Sequence, residues 1–229
     1  MSRWKAGAIH FSISLLIFLG LLAVILFLWY PGILFNIDRG WAGLQLLIGV
    51  DLIAGPLLTL VVFKSGKKGL NFDLACIAFF QAACLVAGMW VVYSERPIVL
   101  VLAYDTIYSV DTQEFLEYDR NPDVLESYPG AYPKLVYLEL PESEFAVIRS
   151  QFIGDPLYVQ TEKYHAMPAQ ADGVKKVFRA LEKTKSAVPE SVSSQLDESC
   201  IFSRFISSIV SGFVCFDTNS RKLEKFYKE

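Results

Sequence analysis

Between Lys5 and Asp38 the chain carries no charged side chain. A helix needs only about 20 predominantly apolar residues to cross a hydrocarbon core of about 30 Å, so this stretch reads as a membrane span over about residues 6–29. Trp29 and Tyr30 suit the headgroup layer, and Pro31 and Gly32 stop the helix. A cleavable signal peptide is the competing reading. The apolar stretch exceeds a signal core of roughly 7 to 15 residues, and no small-x-small cleavage site follows it.

Two further apolar stretches have the length of spans, about residues 41–63 and 74–93, the former broken by Asp51. They account for a composition that is 53% hydrophobic with a mean hydropathy of +0.38, above the average for soluble domains. Lys and Arg are retained on the cytoplasmic side. Arg3 and Lys5 precede the first span, and Lys64, Lys67 and Lys68 join the second to the third, against Arg39 and Arg96 at the opposite ends. This pattern predicts a cytoplasmic amino terminus and an exported carboxyl-terminal domain, with residues 1–96 in the membrane and 97–229 outside it.

Residues 97–229 hold 20 of the 24 acids and 14 of the 21 Lys and Arg, a net of −6. A nucleic-acid role is disfavoured, because it requires a basic face that displaces counterions. The expectation is a small α+β domain of about 130 residues, enough for one core. Strands are expected at Ile98 to Tyr104 and Lys134 to Leu140, helices at Glu142 to Phe152 and Gln170 to Thr184, and a closing hairpin from Ser211 to Phe216 and Leu223 to Tyr227. Asp119 to Pro133 and Ser186 to Ser199 read as loops. Cys76 and Cys84 lie eight apart in the third span, about 12 Å along a helix, too far to bond and suited to apolar filling. Cys200 and Cys215 are the one pair in the exported domain, where a disulfide persists.

Catalytic patterns are missing from the sequence. Its two histidines, His10 in the first span and His165 beside Tyr164 on an expected surface loop, build neither a multi-histidine zinc site nor a Ser-His-Asp set. There is no P-loop, no G-x-S-x-G elbow and no C-x-x-C pair. The chain therefore reads as non-enzymatic, with no cofactor or metal. Asp38 and Arg39, beside Trp41, read as loop anchors.

Asp51 is the informative outlier. An ionised carboxylate near the bilayer centre costs about 2.5 to 3.5 kcal/mol on insertion scales and calls for a neighbour or a proton. Counted from the cytoplasmic ends at about 1.5 Å per residue, Asp51 lies about 18 Å deep, Ser14 and Gln81 about 11 to 12 Å, and His10 about 6 Å. Ser14 or Gln81 can reach Asp51 if the helices tilt; His10 is the poorer candidate. Gly55 and Pro56 follow one turn later, and the proline denies the Leu52 carbonyl its helix bond and favours a kink. One reading is a structural kink with a protonated acid packed inside a three-helix bundle. The functional readings are a polar notch that receives a partner's transmembrane helix and a proton relay; a relay wants more ionisable groups than His10.

Several stretches resemble the type IV pilin accessory proteins, the TfpX/TfpZ group of Gram-negative bacteria. They are Met-Ser-Arg-Trp-Lys at 1–5, Ile-His at 9–10, Ile-Ser-Leu-Leu-Ile-Phe at 13–18, Trp-Tyr-Pro-Gly at 29–32, Phe-Asp-Leu-Ala at 72–75 and Val-Tyr-Ser-Glu-Arg-Pro at 92–97. The most specific is Gly-Val-Asp-Leu-Ile-Ala-Gly-Pro-Leu-Leu-Thr-Leu-Val-Val-Phe-Lys at 49–64, which sets Asp51, Gly55 and Pro56 in an otherwise apolar helix. The resemblance covers about residues 1–110. It implies a non-catalytic inner-membrane helper that supports the stability or assembly of a type IV major pilin, with other inner-membrane pilus-assembly proteins as further partners. On this reading Asp51, Gly55, Pro56, Ser14 and Gln81 receive the pilin helix, and the acidic periplasmic domain holds the pilin head. A periplasmic sensor or scaffold subunit of a membrane machine shares the layout, although a five-residue stub and one short loop leave little to carry a signal inward.

Overall fold

A computed structural model describes residues 2–138, 155–181 and 200–228. Three of its helices are long and apolar enough to cross a membrane: Arg3–Trp29, Gly43–Val62 and Leu70–Ser94. The first starts where Ser2 accepts the Lys5 N–H at 3.3 Å. It runs as α1 (Arg3–Val24) into a π-helical turn, Ile25–Trp29. A short helix, α2 (Leu34–Ile37), leads to the second span, built from α3 (Gly40–Leu47), a π-helical segment Ile48–Ala54 and α4 (Gly55–Val62). The third span, α5 (Leu70–Ser94), begins four residues before its expected start. Gly69, at φ +84°, turns the chain, and Lys67 pairs with Asp73 at 2.6 Å, which lets the first turn of α5 carry an acid.

Beyond Arg96 the chain enters a seven-stranded mixed sheet. Its strands are β1 (Pro97–Ala103), β2 (Thr106–Asp111), β3 (Lys134–Leu138), β4 (Tyr164–Ala166), β5 (Cys200–Ile206), β6 (Ser211–Asp217) and β7 (Lys222–Lys228), in the order β4-β3-β1-β2-β5-β6-β7. β1 runs parallel to β3 and antiparallel to β2, and β2 runs parallel to β5. Every residue of β1 is buried, because both faces of the sheet are covered. Val99, Val101 and Ala103 face a core closed by Phe115 of α6 (Thr112–Glu117) and by Leu125, Leu157 and Val159. Leu100 and Leu102 face the opposite core, with Val174 and Phe178 of α7 (Ala171–Leu181).

The expected strands and closing hairpin are present where described, as is α7. The helix expected at Glu142 to Phe152 and the loop at Ser186 to Ser199 lie outside the described residues. Three local features depart from expectation. The 119–133 segment contains a 3-10 turn, Pro122–Ser127. His165 stands exposed on β4 and stacks on Tyr137 at 5.4 Å, because register with β3 draws it from the expected loop into a sheet edge. β2 and α6 join at Asp111, which accepts from the Glu114 N–H while Glu114 accepts from the Asp111 N–H, a reciprocal capping box.

The bundle and the sheet share a core. Leu34 and Ile37, in the link between the first two spans, are buried among Leu100, Ile107, Phe205 and Leu223. Asp38 is buried beside them, accepting from the Ser109 hydroxyl at 2.6 Å and from the Arg39 N–H at 3.0 Å. Arg39 pairs with Glu95 at 2.9 Å and donates to Ser208 at 3.2 Å. The Ser207 hydroxyl donates to the Ile37 carbonyl. Tyr30, fully buried, donates to the Val92 carbonyl at 3.1 Å and closes the bundle below this joint. The expected loop anchors Asp38 and Arg39 thus tie the link to the sheet domain and to α5.

Burial pushes the Asp38 carboxyl up to about 6, with its hydrogen bonds to Ser109 and Arg39 pulling the other way. Glu114 is pushed up to about 7, also chiefly by burial. A raised carboxylate pKa means the native state holds its proton more tightly than the unfolded chain, so this contribution to stability is lost as pH rises. For Asp38 the window is about 4 to 6. Denaturation midpoints of the detergent-solubilised chain should fall across that window, and Asp38→Asn should flatten the fall; parallel profiles for the two proteins would contradict the buried joint.

Cys200 and Cys215 bridge the neighbouring strands β5 and β6, closing a separation of 15 residues. Loop-closure entropy alone makes such a bridge worth about 3 kcal/mol. Cys200→Ser should remove the mobility change that reductant causes on electrophoresis and hasten proteolysis of the sheet domain; unchanged mobility and resistance would mean that no bridge forms.

Candidate functional site

Several of the few polar side chains in the apolar spans are gathered inside the bundle, while Ser12 and Gln45 stay exposed. Ser14 of α1, Asp51 of the π-helical segment, Thr59 of α4 and Gln81 of α5 are all at most 8% exposed. Gly55 and Pro56 are buried with them. Asp51, Gly55 and Thr59 are four apart, so they form one line along the second span facing its neighbours.

The helix accommodates Pro56 by widening. Gly55 donates to the Val50 carbonyl, five residues back, and Pro56 then opens α4 at a position where its missing N–H is tolerated. The wide turn carries Asp51 at the point where α1 and α5 both pack on the second span. Gly55 permits a close approach: a Cβ built there would collide with the Gln81 amide. In membranes, small residues at helix contacts let backbones approach, and dispersion then holds the helices together.

His10 and Thr59 hydrogen-bond across α1 and α4, Nδ1 to Oγ1 at 2.6 Å. The expected hydrogen bond from Ser14 or Gln81 to Asp51 is not formed among the described residues, and the Gln81 Oε1 is buried there without a partner. His10, the poorer candidate by depth, is engaged with Thr59 and forms no hydrogen bond with Asp51 among the described residues. Thr59 is not among the residues singled out from the sequence; its place two turns after Asp51, on the line through Gly55, is the signal that points to it.

The outer surface of the bundle is apolar. Phe79, Val86 and Trp90 of α5 stand exposed around a shallow groove floored by Ala82, Ala83 and Ala87. At the sheet end, Trp29 meets Tyr93 edge to face at 5.3 Å, and the Arg96 guanidinium lies 3.6 Å over the Tyr93 ring. This aromatic and cationic band suits a headgroup layer.

Comparison with known proteins places the chain among relatives. Over 105 residues it is 33% identical to the fimbrial assembly protein of serogroups C1 and C2 from Dichelobacter nodosus, a match covering 45% of this chain and 80% of that protein. The chain belongs to the fimbrial assembly proteins. The serogroup E1 and serogroup I fimbrial assembly proteins of the same organism are each 31% identical over 132 residues, covering 57% of this chain. The chain spans about half the length of these two curated relatives, 48% in each case. No family model and no solved structure matches it. The disulfide pair Cys200 and Cys215 lies on β5 and β6 and the buried polar set on the helices, so the residues singled out from the sequence form two groups, one in each half.

Gly55→Leu should force Gln81 aside and lower both the amount of intact protein in membranes and its unfolding temperature in detergent, an overpacking cost of about 1 to 3 kcal/mol. Gln81→Ala in the same chain should recover most of the loss. A Gly55→Leu chain indistinguishable from wild type would show that α4 and α5 are not in contact here.

Proposed function

We propose that this chain is a non-enzymatic accessory factor of type IV pilus assembly, of the TfpX/TfpZ group, which binds a major pilin in the inner membrane and supports its stability or incorporation. The observation that carries the reading is its kinship with fimbrial assembly proteins. A pilin awaiting assembly has an apolar helix in the bilayer and a soluble head outside it, and a helper needs a surface for each. Here three spans and a sheet domain are joined through a shared core.

In this proposal the amino terminus and the Lys64 to Lys68 loop lie in the cytoplasm, and the sheet domain lies in the periplasm. The lysines support that orientation, as does the position of the loop at the bundle end remote from the sheet. The pilin helix packs against the lipid-facing side of the bundle. Asp51, Ser14, Gln81, Gly55 and Pro56 enter as the residues that set the bundle's shape from within. The acidic domain meets the pilin head, an encounter that salt should slow.

The test is photo-crosslinking in the native host, with the probe at Leu57, Val86 or Trp90, which are exposed, and at Tyr137 in the domain. Capture of a pilin from a membrane position is the expected result, and Asp51→Ala should lower both protein level and piliation. Capture solely of other pilus-machine components, or of nothing, would favour a scaffold or sensor subunit.

A further inference from the structure

A cavity of about 400 Å³ lies at the seam between the first span and the sheet domain. One wall is the end of that span, where Phe27 is 76% exposed on the bundle surface and Pro31 and Gly32 turn the chain. The facing wall is the turn between β6 and β7, with Arg221 and Lys222. The third is the 129–133 loop, held by Lys134, whose ammonium donates to the Tyr128 and Gly130 carbonyls at 2.9 and 2.5 Å.

The charge of this cavity runs against that of its domain. Residues 97–229 carry a net of −6, yet the lining includes Arg221 and Lys222 and no Asp or Glu. Lys134 is already occupied by its two carbonyls. Arg221 gives one N–H to the Met167 carbonyl at 3.3 Å, while its Nε is buried without a partner among the described residues. Its backbone sits at φ +56°, a left-handed conformation that disfavours a side chain with a Cβ. Lys222 is exposed. Two cations therefore line a cavity that is also lined by Phe27, a side chain exposed on the bundle surface.

We propose that this cavity seats an anionic phospholipid of the leaflet on the domain side, its phosphate between Arg221 and Lys222 and an acyl chain along Phe27. A guanidinium offers a phosphodiester a paired set of donors, and an ammonium on a flexible stem adds a point charge. Basic pockets beside spans hold anionic headgroups through this chemistry. Such a lipid would mortar the first span to the β6–β7 edge. The inference uses the membrane insertion of the spans and no property of a pilin.

The experiment reconstitutes the full chain in nanodiscs with photoactivatable phosphatidylglycerol or photoactivatable phosphatidylcholine and maps labelled peptides by mass spectrometry. Labelling of the α5 face by both lipids marks an inserted chain. The expected result is at least fivefold stronger labelling of peptides bearing Phe27 and residues 129–133 by phosphatidylglycerol. That preference should be lost in Arg221→Gln/Lys222→Gln and kept in Arg221→Lys/Lys222→Arg, with unlabelled phosphatidylglycerol competing and glycerol phosphate not. Equal labelling by the two lipids, a preference that survives the neutral variant, or displacement by glycerol phosphate alone would each overturn it.

Discussion

The link between the first two spans is where the two halves of this protein become one object. A connection between membrane helices is ordinarily a surface loop, because its backbone groups need water. Here Leu34 and Ile37 leave the bundle and complete one core of the sheet, while the following carboxylate of Asp38 is buried against Ser109. Burying two large aliphatic side chains stabilises by about 1.5 to 3 kcal/mol each. That is enough to make the pose of the domain on the bundle a matter of core packing rather than of a tether. Arg39 and Glu95 then brace the joint from the rim, where a half-exposed pair contributes about 1 kcal/mol or less.

Inside the bundle the constraint is of another kind. Association of helices in lipid gains nothing from expelling water, so close packing and polar contacts must supply it. Gly55 against Gln81 provides the approach, and His10 with Thr59 provides a polar clasp between α1 and α4. Pro56 would ordinarily break a span. The π-helical widening that precedes it keeps the helix continuous and turns Asp51 inward, away from lipid that would not solvate it. In a protein proposed to serve a pilin, such a bundle presents its partner with an apolar exterior of defined shape and keeps its ionisable groups out of the contact.

Much of this could be read from residue order. The spans announce themselves by long apolar stretches holding at most one charge each, the buried β1 by an unbroken run from Ile98 to Ala103, and the hairpin of β6 and β7 by the turn chemistry of Asp217 and Asn219, where Asp217 accepts the Asn219 N–H. The bridge of Cys200 and Cys215 followed from their being the available pair in the domain. β2, β4 and β5 were not expected. β2 is short and mixes Thr, Tyr and Ser with two aliphatics, and β4 has three residues, so neither has a periodicity that outweighs a loop reading. Among the polar residues of the spans, depth along ideal helices ranked Ser14 and Gln81 nearest Asp51, and it gave no sign of the hydrogen bond between His10 and Thr59.

The sequence by itself therefore determined that three helices are long and apolar enough to cross a membrane, because stretches of that length with so little charge favour lipid over water, and that an acidic α+β domain follows. It also determined which polar residues would be costly in the membrane. Only the tertiary structure decided how they are arranged: Asp51 turned inward by a change of helical register, Leu34 and Ile37 lodged in the sheet, and Arg221 and Lys222 lining one cavity with Phe27. Each of these depends on contacts between residues far apart in the chain, and local propensity and periodicity carry no record of which distant surface a side chain will meet.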